Sequence, residues 1–218
     1  ITAAAVMMVF LQPDLGGAAI IAFICLVMFL HCGIKVKYGI MTFGAIGAIY
    51  GLIIVVVRTF GSSIPFFHSY QIERITSFID PFADIQDSGY QVVNSYYALS
   101  RGGLFGVGIG ESIQKSGYLP EPHTDFILSI IGEELGLVGV AFVLVLFFYM
   151  VYRIFKNAIK IKDPFAQLVC IGIGTMFLVQ GAINVGGATG LMPLTGVTFP
   201  FVSYGGSSLL VSTVSIGI

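Results

Sequence analysis

Four acidic residues and a histidine lie close together in the stretch YLPEPHTDFILSIIGEELG, residues 118–136. Glu121, His123 and Asp125 stand just before a strongly apolar run, and Glu133 and Glu134 lie inside it. A positioned carboxylate can remove a proton from a reacting hydroxyl. Burying a carboxylate among apolar side chains is costly unless it is paired. The stretch is therefore the first place in this chain to look for chemistry.

Asp125 also has a purely structural interpretation. Thr124 or Asp125 could cap the helix that the following apolar run predicts, where an acid also suits the positive end of the helix dipole. Capping does not account for the other polar groups nearby. The four-residue spacing would place Asp125, Ser129 and Glu133 on one face of that helix. Capping and catalysis therefore both stay open for this carboxylate.

Glu133 and Glu134 lie about 12 Å further along the predicted helix, at about 1.5 Å per residue. A carboxylate at that depth should face a cavity, a partner or the interior of a helical bundle. The alternative to a direct functional role is a structural support that is hydrogen-bonded to another helix. We expect the helix to continue through Gly136 as an ordinary span.

The composition indicates an integral membrane protein. Of the 218 residues, 56% are hydrophobic and only 10% are charged, and the mean hydropathy is +0.97. A soluble domain of this length would need a more highly charged surface. The net charge of −1 offers no electrostatic reason to expect a nucleic acid partner. The sequence predicts an all-α, polytopic membrane protein built as a multi-span helical bundle.

Charge-free runs divide the chain into predicted spans. They cover residues 15–34, 38–57 and 135–152, together with a long apolar stretch from 164 onward that Gly, Pro and Thr residues interrupt. The short turns between spans carry Lys35 and Lys37, and then four basic residues between 153 and 163, so both turns are predicted to be cytoplasmic. Residues 1–218 then form one membrane domain, which we interpret as part of a longer protein.

Three segments are predicted to share the outer side of the membrane. They are the QPDLGG turn at residues 12–17, a large extracellular loop at 58–125, and a second extracellular, re-entrant loop at 186–206. Within the large loop, ERITSFIDPF and SGYQVVNSYYALSRGG alternate apolar and polar residues as interfacial helices do. Ser88 could start the second of these helices, and Gly102 and Gly103 could end it.

Other motifs narrow the possible chemistry. GLFGVGIGES at residues 103–112 lacks the preceding strand and the lysine of a nucleotide-binding loop, so a tight turn is the better interpretation. FPFVSYGGSS at 199–208 either lines a cavity or forms a re-entrant packing element. There is no HExxH, GxGD or DDxxD motif, and the three histidines are too scattered to predict a metal cluster.

Three long motifs together resemble the SEDS family, the shape, elongation, division and sporulation proteins that include FtsW, RodA and SpoVE. QPDLGG is similar to the family's first signature, and residues 78–136 resemble its large extracellular loop nearly from end to end. GLMPLTGVTFPFVSYGGSSLL, residues 190–210, resembles its last-loop signature. The sequence of the GLFGVGIGES motif and of the residues that follow it is most like that of the FtsW division branch.

The resemblance implies a membrane glycosyltransferase of about ten helices, of which this chain would hold roughly the second half. The family polymerises lipid II into the glycan strands of peptidoglycan during cell division. Its expected partners are lipid II, a class B penicillin-binding protein that acts as transpeptidase, other division proteins and membrane lipids, with no nucleic acid. The expected location is the bacterial plasma membrane at the division septum, with the active site on the outer face.

The resemblance also assigns roles to residues. The family's essential acid lies in a P-E-x-H-T-D-F motif and corresponds here to Asp125, which would activate the acceptor hydroxyl. The departing lipid diphosphate needs positive charge, from Arg or Lys or from a divalent cation, Mg²⁺ or Mn²⁺, for which Asp125 is the candidate metal ligand. No other cofactor is expected. We expect substrate contacts from Glu121, His123, Thr124, Lys115 and Ser203, and structural support from Glu133 and Glu134.

Two other functions fit the same residues. A lipid II flippase would need the same cavity and the same lipid affinity but would carry out no chemistry. A non-catalytic scaffold would recruit and activate a penicillin-binding protein without forming polymer itself. The acid at an outward-facing polar mouth favours the enzyme over these alternatives.

Overall fold

The computed structural model describes residues 8–9, 14–33, 35–60, 69–87 and 89–218, and within them the chain is helical, without a strand. The all-α fold predicted from the composition is thus confirmed. Gln12 and Pro13 of the QPDLGG turn, and the proposed helix start at Ser88, lie outside the described residues. The principal helices are α1 (Leu15–His31), α2 (Val36–Phe60), α3 (Ser69–Ile79), α4 (Tyr90–Gly102), α5 (Ile127–Ala158), α6 (Pro164–Thr189) and α7 (Gly206–Gly217).

Helix α6 is the centre of the packing, because α1, α4 and α5 all contact it. Buried Leu128, Phe147, Val151, Phe177 and Phe199 form the main apolar core. The rings of Phe147 and Phe199 lie 4.6 Å apart between centroids. Since Phe199 belongs to the Gly/Pro-rich segment after α6, that segment is packed into the bundle and stabilises it.

Two of the described helices, α5 and α6, are long and apolar enough to cross a membrane. They coincide with two of the predicted spans. Leu137, Phe142 and Val145 on α5 are more than half exposed, which suits a helix surface that faces lipid rather than water. Helix α1 has 17 residues and ends at His31, with Cys32 as its C-cap residue. It therefore stops short of residue 34, the predicted limit of this span.

The predicted starts of the two extracellular loops, at residues 58 and 186, need correction. Helix α2 continues to Phe60, beyond the predicted loop start at residue 58. Helix α6 runs through Gly186 and ends at Thr189, so the predicted second loop at 186–206 begins at the left-handed Gly190. A Cβ at Gly186 would lie 3.0 Å from the side chain of Met192, and one at Gly187 would lie 3.4 Å from that of Leu194. The glycines therefore allow the following segment to pack closely against the end of α6.

Helix α4 exists and ends at Gly102, as expected. One face of it packs against α5 and α6, with Val93, Ser95 and Ala98 buried, while Tyr97 and Arg101 on the other face are exposed. The Ser95 hydroxyl lies 2.7 Å from the Ser129 hydroxyl and donates to the carbonyl of Ala188 at 2.8 Å. Small residues allow this close approach, a feature that the alternation of apolar and polar residues does not reveal.

Helix α5 is interrupted at Gly136, where φ is 70° and ψ is −170°, so the expected uninterrupted span is wrong. The loop of residues 103–108 fills the break. The amides of Val107 and Gly108 donate to the carbonyls of Glu133 and Glu134 at 3.0 Å. The amides of Leu137 and Val138 in turn donate to the carbonyls of Gly103 and Leu104 at 2.9 and 3.2 Å. The loop therefore replaces two hydrogen bonds that a continuous helix would make within itself.

Glycines make this insertion possible. A Cβ at Gly136 would lie 2.4 Å from the amide nitrogen of Gly106, and a Cβ at Gly106 would lie 2.1 Å from the carbonyl oxygen of Glu134. Both glycines also have positive φ, at 70° and 80°, a conformation that costs other residues free energy. The glycine-rich motif is thus a tight turn, as predicted, and it joins the large loop to α5.

Replacing Gly136 by Ala is expected to destabilise the protein by at least about 2 kcal/mol, because the new methyl group clashes with the loop and the backbone is strained. Gly47→Ala in α2 is the matched control, since a Cβ there meets nothing within 4 Å. Thermal unfolding in detergent would measure both. Equal melting temperatures for the two variants would contradict the inserted-loop packing.

Candidate active site

The three segments predicted to share one side of the membrane meet at one end of the bundle. A Cβ at Gly16, in α1, would lie 2.7 Å from the side chain of Val197. A Cβ at Gly196 would lie 3.4 Å from the Asp125 carboxylate and 3.8 Å from the Arg74 guanidinium. The start of α1 at Gly16, the large loop and the Gly/Pro-rich segment therefore meet close to Asp125.

Asp125 does not cap a helix. Helix α5 begins at Ile127, its N-cap is Phe126, and no side chain makes a capping hydrogen bond there. The capping interpretation of Thr124 and Asp125 is therefore wrong. Asp125 also precedes the helix, so the predicted stripe with Ser129 and Glu133 does not include it. Buried Phe126 fixes the start of α5 instead, packing with Leu119 and Ile130.

Hydrogen bonds hold the backbone of the Asp125 turn in place. The Asn184 amide nitrogen in α6 donates to the carbonyl of Asp125 at 2.9 Å and to that of Val197 at 2.7 Å. The Ser203 hydroxyl donates to the carbonyl of Thr124 at 2.6 Å. The Tyr204 amide donates to the carbonyl of His123 at 2.7 Å. Because these bonds are accepted by main-chain carbonyls, they fix the position of Asp125 and leave its carboxylate oxygens available for other hydrogen bonds.

The surroundings of Asp125 strengthen it as a base. Partial burial, the largest influence, raises the pKa of its carboxyl group above the usual value. The positive charge of Arg74 lowers the pKa and the negative charge of Glu121 raises it, both by smaller amounts. Within the described part of the chain, no hydrogen bond to this carboxylate is made. Asp125 is thus a half-buried carboxylate with raised proton affinity beside a guanidinium.

The other residues predicted to contact substrate occupy different surroundings. Glu121 is exposed, has a φ of 51°, and accepts a hydrogen bond from the Thr124 hydroxyl at 3.2 Å. His123 is exposed on the same turn. Lys115 lies in the large loop, where its ammonium contacts Glu134 at 2.5 Å, and Ser203 uses its hydroxyl on the backbone of Thr124. Substrate contact stays a prediction for all five.

Glu133 is fully buried and joins the large loop to α5. Its carboxylate pairs with Arg101 at 2.6 Å and accepts a hydrogen bond from the Ser112 hydroxyl. The amides of Ile113 and Gln114 donate to the same carboxylate at 3.1 and 3.3 Å. With all these donors engaged, the geometry favours the supporting role that the sequence predicted for Glu133, and the Lys115 pair favours the same role for Glu134.

Sequence reasoning missed Arg74, Asn184 and Gly196 as parts of this site. Arg74 is one of four basic residues in the predicted large loop, and nothing in its local sequence links it to Asp125. Asn184 had a usable signal, since an amide inside a long apolar helix needs hydrogen-bond partners. Gly196 gave none, because its closeness to Asp125 arises only from the tertiary fold.

The described residues do not gather three or more His, Cys, Asp or Glu side chains around a common metal position. Asp125 would be one carboxylate ligand, and a cation there would need oxygen atoms from a bound diphosphate or from water. The described residues therefore do not form a metal site by themselves, and Arg74 is the positive group placed next to Asp125.

The fold and the site define a class: an all-α membrane protein with a half-buried carboxylate where three remote segments meet. The family model described as "Cell cycle protein", which covers FtsW, RodA and SpoVE, matches residues 1–218. The chain therefore belongs to the FtsW/RodA/SpoVE family.

Relatives agree with this assignment. The chain is 47% identical over 208 residues to a "Probable peptidoglycan glycosyltransferase FtsW" of Bacillus subtilis, covering 95% of this chain and 51% of the relative. It is 40% identical over 216 residues to "Stage V sporulation protein E" of the same organism, covering 98% of this chain and 56% of that protein. The chain thus spans about half the length of the curated relatives it matches.

A solved structure is similar as well. It belongs to work on the "Structural coordination of polymerization and crosslinking by a peptidoglycan synthase complex". The TM-score is 0.73 at 30% sequence identity, over 99% of this chain and 57% of that one. The resemblance suggested by the three sequence motifs is confirmed at the level of the family and its fold.

Replacing Glu133 by Leu should destabilise the protein by about 3 kcal/mol, because it leaves the Ser112 hydroxyl and two loop amides without their acceptor. Glu111→Leu changes an exposed acid of the same loop and is the control. Thermal unfolding and limited proteolysis between residues 103 and 116 would measure the effect. If Glu133→Leu keeps wild-type stability and loses activity alone, the supporting role is wrong.

Proposed function

We propose that the protein is a peptidoglycan glycosyltransferase that polymerises lipid II into glycan strands, with Asp125 as the general base. The observation that carries this proposal is the Asp125 carboxylate itself. It is half-buried, its pKa is raised, it has no capping role, and it lies beside Arg74 at the junction of three segments. The names of the relatives support the reaction class.

The reaction needs few groups. The Asp125 carboxylate removes the proton from an acceptor sugar hydroxyl. At the same time the oxygen of that hydroxyl attacks the anomeric carbon of the donor sugar. A carbon–oxygen bond forms there, and the bond from that carbon to the diphosphate oxygen breaks. The electron pair leaves with the lipid diphosphate, a good leaving group, while the proton stays on Asp125. The raised pKa suits a base that must hold this proton.

Arg74 has a separate role in this proposal. Charge builds up on the diphosphate as it leaves, and a preorganised positive group stabilises that charge. The guanidinium is anchored by its hydrogen bond to the carbonyl of Leu194. Arg74 can therefore supply positive charge at the site, whether or not Mg²⁺ or Mn²⁺ also binds there.

The membrane setting follows from the same argument. A lipid-linked substrate requires the site at a membrane surface, and the basic turns around Lys35 and around Arg153 favour an outward-facing Asp125. We propose a multi-pass protein in the bacterial plasma membrane at the division septum. Its partner is a class B penicillin-binding protein, which the solved complex of polymerisation and crosslinking supports.

Asp125→Asn should reduce glycan polymerisation from lipid II at least about 100-fold, since a neutral amide cannot accept the proton. Asp87→Asn, an exposed acid of the large loop, is the matched control. Polymer length on gels, with and without chelator and partner transpeptidase, is the measurement.

Polymerisation at the wild-type rate by folded Asp125→Asn would rule out the base. A wild-type protein that moves lipid II across vesicles without ever lengthening a glycan would be a flippase. A protein that only stimulates its partner would be a scaffold. A rate that chelator leaves unchanged would remove the divalent cation from the mechanism.

The pH dependence should respond to the charged neighbours of Asp125. A base must be ionised, so activity falls as the pH drops through its pKa, and burial places that fall above the usual Asp value of about 3.9. Arg74→Gln removes a positive charge and should move the fall to higher pH. Glu121→Gln removes a negative charge and should move it to lower pH. Profiles of kcat/KM against pH that do not move, or move in the opposite directions, would contradict this electrostatic account.

A further inference from the structure

The loop that fills the break in α5 has an apolar surface of its own. Residues 102–110, called here the apolar loop, carry no polar side chain, although Arg101 and Glu111 flank them directly. Leu104, Phe105 and Ile109 are 60%, 82% and 81% exposed. Leaving large apolar side chains in water is costly, and an exposed apolar patch of this kind indicates a membrane or a protein partner.

The apolar loop continues the exposed apolar surface of α5. The carbonyls of Gly103 and Leu104 accept hydrogen bonds from the amides of Leu137 and Val138 at 2.9 and 3.2 Å. The side chains of Leu137 and Val138 are themselves more than half exposed. The patch on the loop and the face of α5 that suits lipid are therefore parts of one surface.

The length of α5 gives the depth of this surface in the membrane. Near the other end of the helix, Tyr152, Arg153 and Lys156 are exposed, and aromatic and basic residues of this kind mark a membrane–water interface. Leu137 lies about 23 Å from Tyr152 along the helix, at about 1.5 Å per residue. The hydrocarbon core is about 30 Å thick, so the part of the apolar loop bonded to Leu137 lies at hydrocarbon depth.

The backbone of the apolar loop is suited to that depth. Irregular backbone is tolerated inside a membrane only where its polar groups are satisfied by the protein. The amides of Val107 and Gly108 donate to α5 carbonyls at 3.0 Å, and the Gly106 amide donates to the Gly102 carbonyl at 2.7 Å. Together with the two carbonyls bonded to Leu137 and Val138, these groups are paired without water.

The charges next to the apolar loop are paired as well. Arg101 lies 2.6 Å from the carboxylate of Glu133, and the Lys115 ammonium lies 2.5 Å from that of Glu134. Pairing lowers the cost of holding such groups near hydrocarbon. A loop that needed only to be dissolved in water would gain little from an apolar tip between two neutralised flanks.

We propose that the apolar loop inserts into the membrane leaflet on the Asp125 side and contacts lipid acyl chains there. The loop thereby anchors the large loop to the membrane and fixes how deep the outer part of α5 sits. It also sets the height of Asp125 above the hydrocarbon. The inference requires that α5 crosses the membrane and does not depend on the reaction that the protein catalyses.

Spin labels in the full-length protein test this insertion. Phe105→Cys, Phe142→Cys and Asp87→Cys are each labelled in a protein whose native cysteines are replaced by serine, and each is placed in lipid nanodiscs. Electron paramagnetic resonance then compares collisions with oxygen, which concentrates in hydrocarbon, and with a polar nickel chelate. The ratio of oxygen to nickel collisions should be at least about 10-fold higher for Phe105→Cys than for Asp87→Cys, because polar solutes enter hydrocarbon at high cost.

Phe142, on the exposed apolar face of α5, is the lipid reference, and Asp87, an exposed acid of the large loop, is the water reference. A label at position 105 that meets the nickel chelate as often as the one at position 87 lies in water. A label that rarely meets either reagent is covered by protein. Either result would overturn the proposal.

A charge at the tip of the apolar loop gives a second measurement. Phe105 is too exposed to lose many protein contacts, so Phe105→Asp should be almost neutral in water, whereas a carboxylate facing lipid is costly. We expect Phe105→Asp to unfold at a lower temperature in nanodiscs than the matched Phe105→Leu. Equal melting temperatures for the two variants would contradict insertion.

Discussion

The two hydrogen bonds from the Asn184 amide are the contact on which the site depends. They join α6 to the turn before α5 and to the Gly/Pro-rich segment, parts of the chain that lie 59 and 13 residues away from Asn184. They tie the backbone of Asp125 and the backbone of Val197 to a single side chain of α6. Gly196 can then bring the Asp125 carboxylate and the Arg74 guanidinium near a single point.

Three of the four acids in the stretch of residues 118–136 fall into two chemical groups. Glu133 and Glu134 are matched with donors, namely Arg101, Ser112 and Lys115. Such pairing explains how carboxylates are tolerated within an apolar helix, since an unpaired charge there would be costly to bury. Asp125 lies near the positive charge of Arg74 and makes no capping hydrogen bond to α5. Its raised pKa results mainly from burial. Glu133 and Glu134 therefore support the scaffold, whereas Asp125 is the acid suited to chemistry.

The sequence predicted the helices well because long charge-free runs have few alternatives to a membrane helix. It also singled out Asp125 as the candidate base, since an acid at the mouth of such a run is unusual, and that role stays a prediction. It did not predict the interruption at Gly136, because the broken helix depends on hydrogen bonds to a loop more than 25 residues earlier in the chain. For the same reason Arg74 went unrecognised as a neighbour of Asp125. The capping interpretation that the sequence left open for Asp125 is wrong because buried Phe126 takes the N-cap position.

The central claim is that the Asp125 carboxylate removes a proton during glycan extension. The most direct measurement is chemical rescue of Asp125→Ala by formate in a lipid II polymerisation assay. We expect the variant to be inactive alone and to recover polymerisation as the formate concentration rises, because the small carboxylate can occupy the vacated space and act as the base. A variant that polymerises at the wild-type rate without formate would contradict the account. So would a variant that binds lipid II normally but does not recover polymerisation at any formate concentration.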